Sequence, residues 1–375
     1  MSGYKLISSD SHVYEPRDLW TSRMESKFKD RAPRIVSRED GDWWYCDGRK
    51  VVGTGPGSQT GRRFENPDEL SRTDRFEHIR KGGYIPDERI KDMELDGVAA
   101  EVVYPTAGFL LYNMVEDGPL LSACFKSYND WVAEFCNAYP ARLKGVALIN
   151  LDDVQEGVQE LQRARQNGLV GVLITAYPRI DRPYSSPEYD PFWAAAQDLG
   201  MPLGMHIATY RPGPDQLHGF QDIDKLSAAF LSNADHWVRM ALADMIFSGV
   251  FERYPRLKVG TVEQELSWIA HFLDRIDYTY TQRARRAQWR RFKGNELPSD
   301  FFHRNVFCSF QEDALGIRDR HIIGVDNLMW GSDYPHQEST WPKSRQILEK
   351  ILGDIPEDEK TKIAGGNVAR LYQMA

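Results

Sequence analysis

Four places in the chain carry side chains suited to holding a metal ion: Asp10-Ser11-His12 near the start, then His206, Glu263 and Asp333. Imidazole nitrogen and carboxylate oxygen are the ligands of catalytic zinc, manganese and iron sites, which leave positions open for water and substrate. In an extended segment, residues two apart project to the same side, so Asp10 and His12 can chelate one ion together. The four cysteines (Cys46, Cys124, Cys136 and Cys308) form no C-x-x-C pair. That spacing suggests neither a thiolate zinc site nor a disulfide framework, and all four read as structural. A single buried histidine is more often a hydrogen-bonded core residue than a ligand. What makes these residues a constellation is that each stands at the end of a short apolar run.

Eight such runs are visible: Tyr4–Ser9, Ala99–Tyr104, Lys144–Asn150, Val170–Thr175, Pro202–Ile207, Leu257–Val262, Arg304–Ser309 and Asn327–Ser332. Segments of helical periodicity separate them, such as GPLLSACFKSYNDWVAEFCNAYP and DVQEGVQELQRARQN. Regular β-then-α alternation with near-continuous apolar strands predicts a parallel sheet covered on both faces, and eight repeats favour closure into a (β/α)8 TIM barrel. A doubly wound open sheet is the rival, but no G-x-G-x-x-G follows the first strand. In a closed barrel the C-terminal ends of the strands share one mouth. The first strand then brings Asp10 and His12, the fifth His206, the sixth Glu263, and the eighth Asp333 beside the first. The chain is expected to be one domain, residues 1–375, with an insertion over about 17–85. A hairpin is predicted within it at Trp43–Val52, turning at Asp47-Gly48. So long an insertion after the first strand is expected to form a small cap that shapes the pocket.

Hydrophobic residues make up 41% of the chain and charged residues 27%, the balance of an ordinary soluble globular protein, and no apolar stretch is long enough for a membrane span. The N-terminus MSGYKLISSDSH lacks a secretory signal, so a cytoplasmic location is expected. A formal charge of −8 argues against nucleic acid as a partner. The basic run from Arg283 to Lys293 reads as a solvated helix face or an oligomer contact.

Taken together, DSHVYEP, RIKDMELDGVAAEVVYPT, YDPFWAAAQDLGMPLGMHI, GVFERYPRLKVGTVE and MWGSDYPHQESTWPKSR resemble the amidohydrolase-related (amidohydrolase 2) family of metal-dependent barrels. That family includes decarboxylases such as aminocarboxymuconate semialdehyde decarboxylase. The resemblance spans nearly the whole chain outside the insertion and implies that His12, His206 and Asp333 bind metal. The sequence departs from the decarboxylase pattern at Asp10, where many members carry histidine. It departs again at Glu263, where several decarboxylases place a catalytic histidine. Glu263 can ligate the metal, act as a base or bridge two ions, so the cofactor is expected to be one or two divalent ions of zinc, manganese or iron.

Asp333 is expected to shuttle a proton, and His336, three residues on, to orient it or add a ligand. His218, Tyr210 and Arg211 follow the fifth strand and are candidates for catalysis (His218) and substrate binding (Tyr210 and Arg211). Either Arg211 or Arg179 could grip a substrate carboxylate. The activity expected is hydrolysis or decarboxylation of a small carboxylated or carbonyl substrate. The alternatives are a dinuclear iron or manganese monooxygenase and a structural subunit paired with an active paralogue. A homodimer or higher oligomer is expected in either case.

Overall fold

The computed structural model describes residues 4–211, 227–283 and 291–374. Eight parallel strands are laid down in chain order around one sheet: β1 (Leu6–His12), β5 (Val98–Tyr104), β6 (Leu143–Leu148), β7 (Gly171–Tyr177), β8 (Leu203–Tyr210), β9 (Val259–Val262), β10 (Val306–Phe310) and β11 (Leu328–Trp330). All eight are the strands read from the apolar runs. Helices cover them on the outside: α1 (Pro86–Asp96), α3 (Gly118–Asn137), α4 (Val154–Gln166), α5 (Asp190–Leu199), α6 (His236–Phe247), α7 (Ser267–Gln282), α8 (Pro298–Asn305) and α9 (Ser344–Leu352), while α2 (Ala107–Met114) lies at the mouth, packed on β8 and the inserted segment. Helix α3 shows why the two periodicities cooperate. Leu120, Leu121, Cys124, Phe125, Tyr128, Val132 and Cys136 repeat every three or four residues, so one stripe is buried against the sheet, and the Asp117 carboxylate caps the first turn through the Leu120 N–H.

Closure of the sheet into a barrel falls at β1 and β11, and small residues make it possible. The Asp333 N–H donates to the Asp10 carbonyl at 2.9 Å and the His12 N–H to the Tyr334 carbonyl at 2.5 Å, which continues the seam past the short β11. Gly331 sits so close that a Cβ there would meet Asp10 Cβ at 2.6 Å. Hydroxyls knit the same seam: the Ser332 N–H donates to Ser8 Oγ at 2.8 Å, and Ser11 Oγ lies 3.0 Å from Ser332 Oγ. The serines of ISSDSH are therefore the closure of the barrel, and Asp10 and His12 are fixed by it.

The inserted segment carries a separate antiparallel sheet, β2 (Arg34–Arg38), β3 (Gly41–Cys46) and β4 (Arg49–Gly53). Asp47 and Gly48 turn β3 into β4 with φ of 51° and 76°, the left-handed pair a two-residue hairpin needs. Strand β2 was not legible in the sequence. Trp44 anchors the sheet edge-on to Trp20, ring centroids 5.1 Å apart. Further on, Thr60 donates to the Pro335 carbonyl, and Arg63 reaches the Ser339 carbonyl at 2.9 Å and the Glu312 carboxylate. Those three acceptors follow β10 and β11, at the C-terminal end of the barrel. All four cysteines are buried free thiols. Among the described residues no helix is long and apolar enough to cross a membrane.

Candidate metal centre

The strand ends bring Asp10, His12, His206 and Glu263 into one cluster, and His12 joins a second with Asp333 and His336; within each cluster the ligand atoms lie within 4.8 Å of one another. His12 Nε2 is 3.2 Å from His206 Nε2, 3.4 Å from Asp10 Oδ1 and 3.3 Å from Asp333 Oδ1. His206 Nε2 is 3.6 Å from Asp10 Oδ1 and 3.3 Å from Glu263 Oε2. Parallel register explains the meeting of distant residues, because His206 on β8 lies level with Thr175 on β7 and Val262 on β9, one residue before Glu263.

Proton accounting shows what this cluster lacks. His12 Nδ1–H donates to the Pro105 carbonyl at 2.6 Å and His206 Nδ1–H to the Ile207 carbonyl at 2.9 Å, so in neutral rings both Nε2 atoms are bare lone pairs facing each other. Neither oxygen of the buried Asp10 carboxylate has a hydrogen-bond partner. The centre is thus built of acceptors, and buried acceptors without donors cost about 1–3 kcal/mol each, more when charged. One proton on His206 relieves part of this. Burial opposes that proton, but the Asp10 and Glu263 charges prevail and lift the ring to about 9. His12 goes the other way, to about 3, through burial and the neighbouring His336. Burial disfavours the Asp10 anion, yet His206 and His12 hold its carboxyl below the usual range. A divalent cation satisfies all these atoms at once. Two ligand atoms about 2.1 Å from an ion and about 100° apart are about 3.2 Å from each other, which matches the separations here.

The backbone is strained at the same place. Ala208, Glu263, Glu265 and Asp333 have φ of 64°, 56°, 52° and 57°, a region that non-glycine residues enter at a cost of about 1–3 kcal/mol. Two of these four carry side chains of the clusters. Burial, followed by the neighbouring carboxylates, pushes Glu263 and Asp333 well above the usual carboxyl range.

Asp333 has a partner that fixes its proton. His336 Nδ1 lies 2.7 Å from Asp333 Oδ1, and its Nε2 lies 2.9 Å from Thr106 Oγ1. The Thr106 hydroxyl already donates to the Val13 carbonyl at 2.7 Å, so His336 must supply the proton to Thr106 from Nε2. Burial and the His206 charge lower His336 to about 4, which leaves Nδ1 bare and places the one remaining proton on the Asp333 carboxyl. The pair therefore shares a single proton at the edge of the cluster.

Arg211, expected on the substrate, has another occupation, and Tyr210 stands next to it at the end of β8. Every Arg211 N–H is spent inside the protein: Nε on Asp152 at 3.0 Å, Nη1 on the Tyr112 and Val115 carbonyls, Nη2 on the Glu116 carbonyl and Asp152. A guanidinium so engaged has no fork left for a substrate carboxylate. Tyr210 is buried, and its N–H donates to Asn113 Oδ1 at 2.9 Å. Arg179 pairs with its neighbour Asp181 at 2.8 Å. His218, and most of the basic run between Arg283 and Lys293, lie outside the described residues. The sequence reading passed over Phe109, whose ring lies 4.9 Å from that of His206 and 5.9 Å from that of His12. It also passed over Glu15 and Thr106.

A closed parallel barrel with imidazoles and carboxylates at the C-terminal strand ends defines the class of metal-dependent (β/α)8 enzymes. Within that class the chain belongs to the amidohydrolase family, whose model matches residues 85–374. It is similar to a γ-resorcylate decarboxylase of Polaromonas sp., 23% identical over 310 residues that cover 77% of this chain and 88% of that one. A 2-amino-3-carboxymuconate-6-semialdehyde decarboxylase of Dictyostelium discoideum is 25% identical over 299 residues, covering 78% and 77%. Among solved structures, a 5-carboxyvanillate decarboxylase of Novosphingobium aromaticivorans, complexed with manganese and 4-hydroxy-3-methoxy-5-nitrobenzoic acid, superposes with a TM-score of 0.71. It shares 19% identity, with 99% of this chain and 97% of that one covered.

Proposed function

We propose that this chain is a metal-dependent decarboxylase of small hydroxylated aromatic carboxylic acids. The observation that carries the reading is a buried centre made of acceptors, Asp10, His12 and His206, standing beside a carboxyl group that shares one proton with His336. Its relatives are decarboxylases by name. Asp10, His12 and His206 would hold one divalent ion, manganese by preference, with Glu263 and Asp333 completing its surroundings. Bound there, the ion would supply Lewis acidity that offsets the negative charge of an anionic substrate. One ion is favoured over two because His12 belongs to both clusters and His336 is already spent on Asp333 and Thr106.

The protein's own groups do the rest. Phe109, lying across the His12 and His206 rings, offers a flat apolar wall to an aromatic ring. Asp333 holds a proton in reach of that ring and delivers it to the carbon bearing the carboxylate. As the C–H bond forms, the C–C bond to the carboxylate breaks, its electron pair returns to the ring and CO2 leaves. His336, tethered to Thr106, keeps the Asp333 carboxyl in one orientation. The inserted segment, tied to Pro335, Ser339 and Glu312, closes one side of the mouth and limits water.

The test is to incubate manganese-loaded protein in D2O with 2,6-dihydroxybenzoate and 5-carboxyvanillate. Manganese-dependent CO2 release, with deuterium at the vacated carbon, is expected, and Asp333→Asn should abolish it. Failure to decarboxylate any ortho-hydroxybenzoate, with hydrolysis of esters or amides instead, overturns the reading.

A further inference from the structure

We infer that Glu15 is a positioning residue whose buried carboxylate gathers the turn at residues 105–108, and that this turn in turn aims the rings of both His12 and His336. The inference rests on the metal-centre reading above. The first N–H groups of a helix have no partner within it and are usually capped by the side chain at the helix start. At α2 that residue is Thr106, yet its side chain does not cap the helix. Its buried hydroxyl is turned away from the helix, donating to the Val13 carbonyl and accepting from His336 Nε2. Glu15, three residues beyond His12, does the capping in its place. One carboxylate oxygen accepts from the Thr106 N–H at 3.1 Å and the Gly108 N–H at 2.8 Å, and the other from the Ala107 N–H at 2.9 Å.

The consequence is a linked pair of supports. Pro105, at the head of this turn, gives its carbonyl to His12 Nδ1 at 2.6 Å, and this is the bond that turns His12 Nε2 toward the cluster. Thr106, freed from capping, holds the far nitrogen of His336. The arrangement is costly, because Glu15 is fully buried and burial raises its carboxyl to about 7 in spite of three N–H donors. A threonine capping its own helix would avoid that cost but would release His336. Room at the turn is limited too: a Cβ on Gly108 would lie 3.0 Å from Glu15 Oε1.

Glu15→Gln tests this, since the isosteric amide presents an NH2 group to at least one backbone N–H. Mn2+ affinity is read by competition with a chelator, ligand geometry by the visible spectrum of the Co2+-loaded protein, and folding by circular dichroism. Expected are a Kd for Mn2+ raised about 10-fold or more, as for other outer supports of a ligand, and displaced Co2+ bands. The control is Asn129→Ala, which removes buried bonds to the Leu148 backbone elsewhere in the barrel. It should leave both readouts at wild type despite a lower melting temperature. If Glu15→Gln does not fold, Gly108→Ala carries the test, with a smaller shift in the same direction. Wild-type Kd and bands in a folded Glu15→Gln, or equal changes in Asn129→Ala, overturn the role of Glu15. A wild-type chain that takes up neither ion overturns the metal reading itself.

Discussion

Two polar regions lie at the C-terminal end of this barrel, and the type of residue does not tell them apart. At the Arg211 belt, five N–H groups meet Asp152 and three backbone carbonyls, so every donor is used. At the Asp10 centre, two imidazoles and two carboxylates face one another and the Asp10 oxygens have no partner. The first region is finished as it stands and binds β8 to the end of α2. The second leaves its acceptors unmatched, a chemistry suited to the cation proposed for it. A buried charge in a structure therefore points to function when its hydrogen-bond account does not close, and to stability when it does.

Substitutions should separate the two regions by what they damage. The largest effect is expected for His206→Ala, which removes one of the two imidazole nitrogens of the centre. Metal affinity should fall by more than the roughly 10–100-fold typical of outer supports, with turnover lost and the circular dichroism spectrum retained. Unchanged metal content, measured by elemental analysis, would remove His206 from the ligand set. Arg211→Met should do the reverse. Breaking a buried pair costs about 3–5 kcal/mol, and because Asp152 is about a quarter exposed the expected loss of stability is nearer 2–4 kcal/mol, with metal affinity unchanged. Denaturant unfolding of the metal-free protein and a metal titration read the two outcomes separately.

Acidity gives an intermediate effect. In the metal-free chain His206 is lifted to about 9, so it holds a proton at neutral pH that a cation must displace. Apparent affinity should rise about tenfold per pH unit through the neutral range and level off near pH 9. The linkage sign is that of a raised base. The metal-free fold draws full stability from this proton below the ordinary histidine value of 6.5 and loses it as pH rises through about 9, whereas the loaded protein should not show that loss. A pH-independent Kd would contradict the proton assignment. The smallest effect is expected for Glu263→Gln, because its carboxylate makes its close approach to His206, at 3.3 Å, though Asp10, His12, His206 and Glu263 all lie in one cluster. If it is a ligand, metal affinity should weaken by about tenfold; retained affinity with lost turnover would make it a base instead.

The eight strands were legible because each is a short apolar run buried on both faces, and their ends were legible because a polar residue follows at once. What sequence could not convey was orientation across distance. Glu15 and the 105–108 turn are some 90 residues apart, and nothing in either segment marks a carboxylate bonded to backbone N–H groups. Arg211 looked functional because an arginine at a strand end reads the same whether its fork is free or filled. Strand β2 escaped because RIVSR is mostly exposed and shows no buried face until it is paired with β3.

Anomalous X-ray scattering from crystals loaded with manganese tests the central claim most directly, since it locates the ion without reference to activity. One peak per chain is expected, within about 2.3 Å of an Asp10 oxygen, His12 Nε2 and His206 Nε2, with Arg211 and Asp152 unoccupied. Two peaks of equal height at the mouth, or none within bonding distance of His12 and His206, would contradict it.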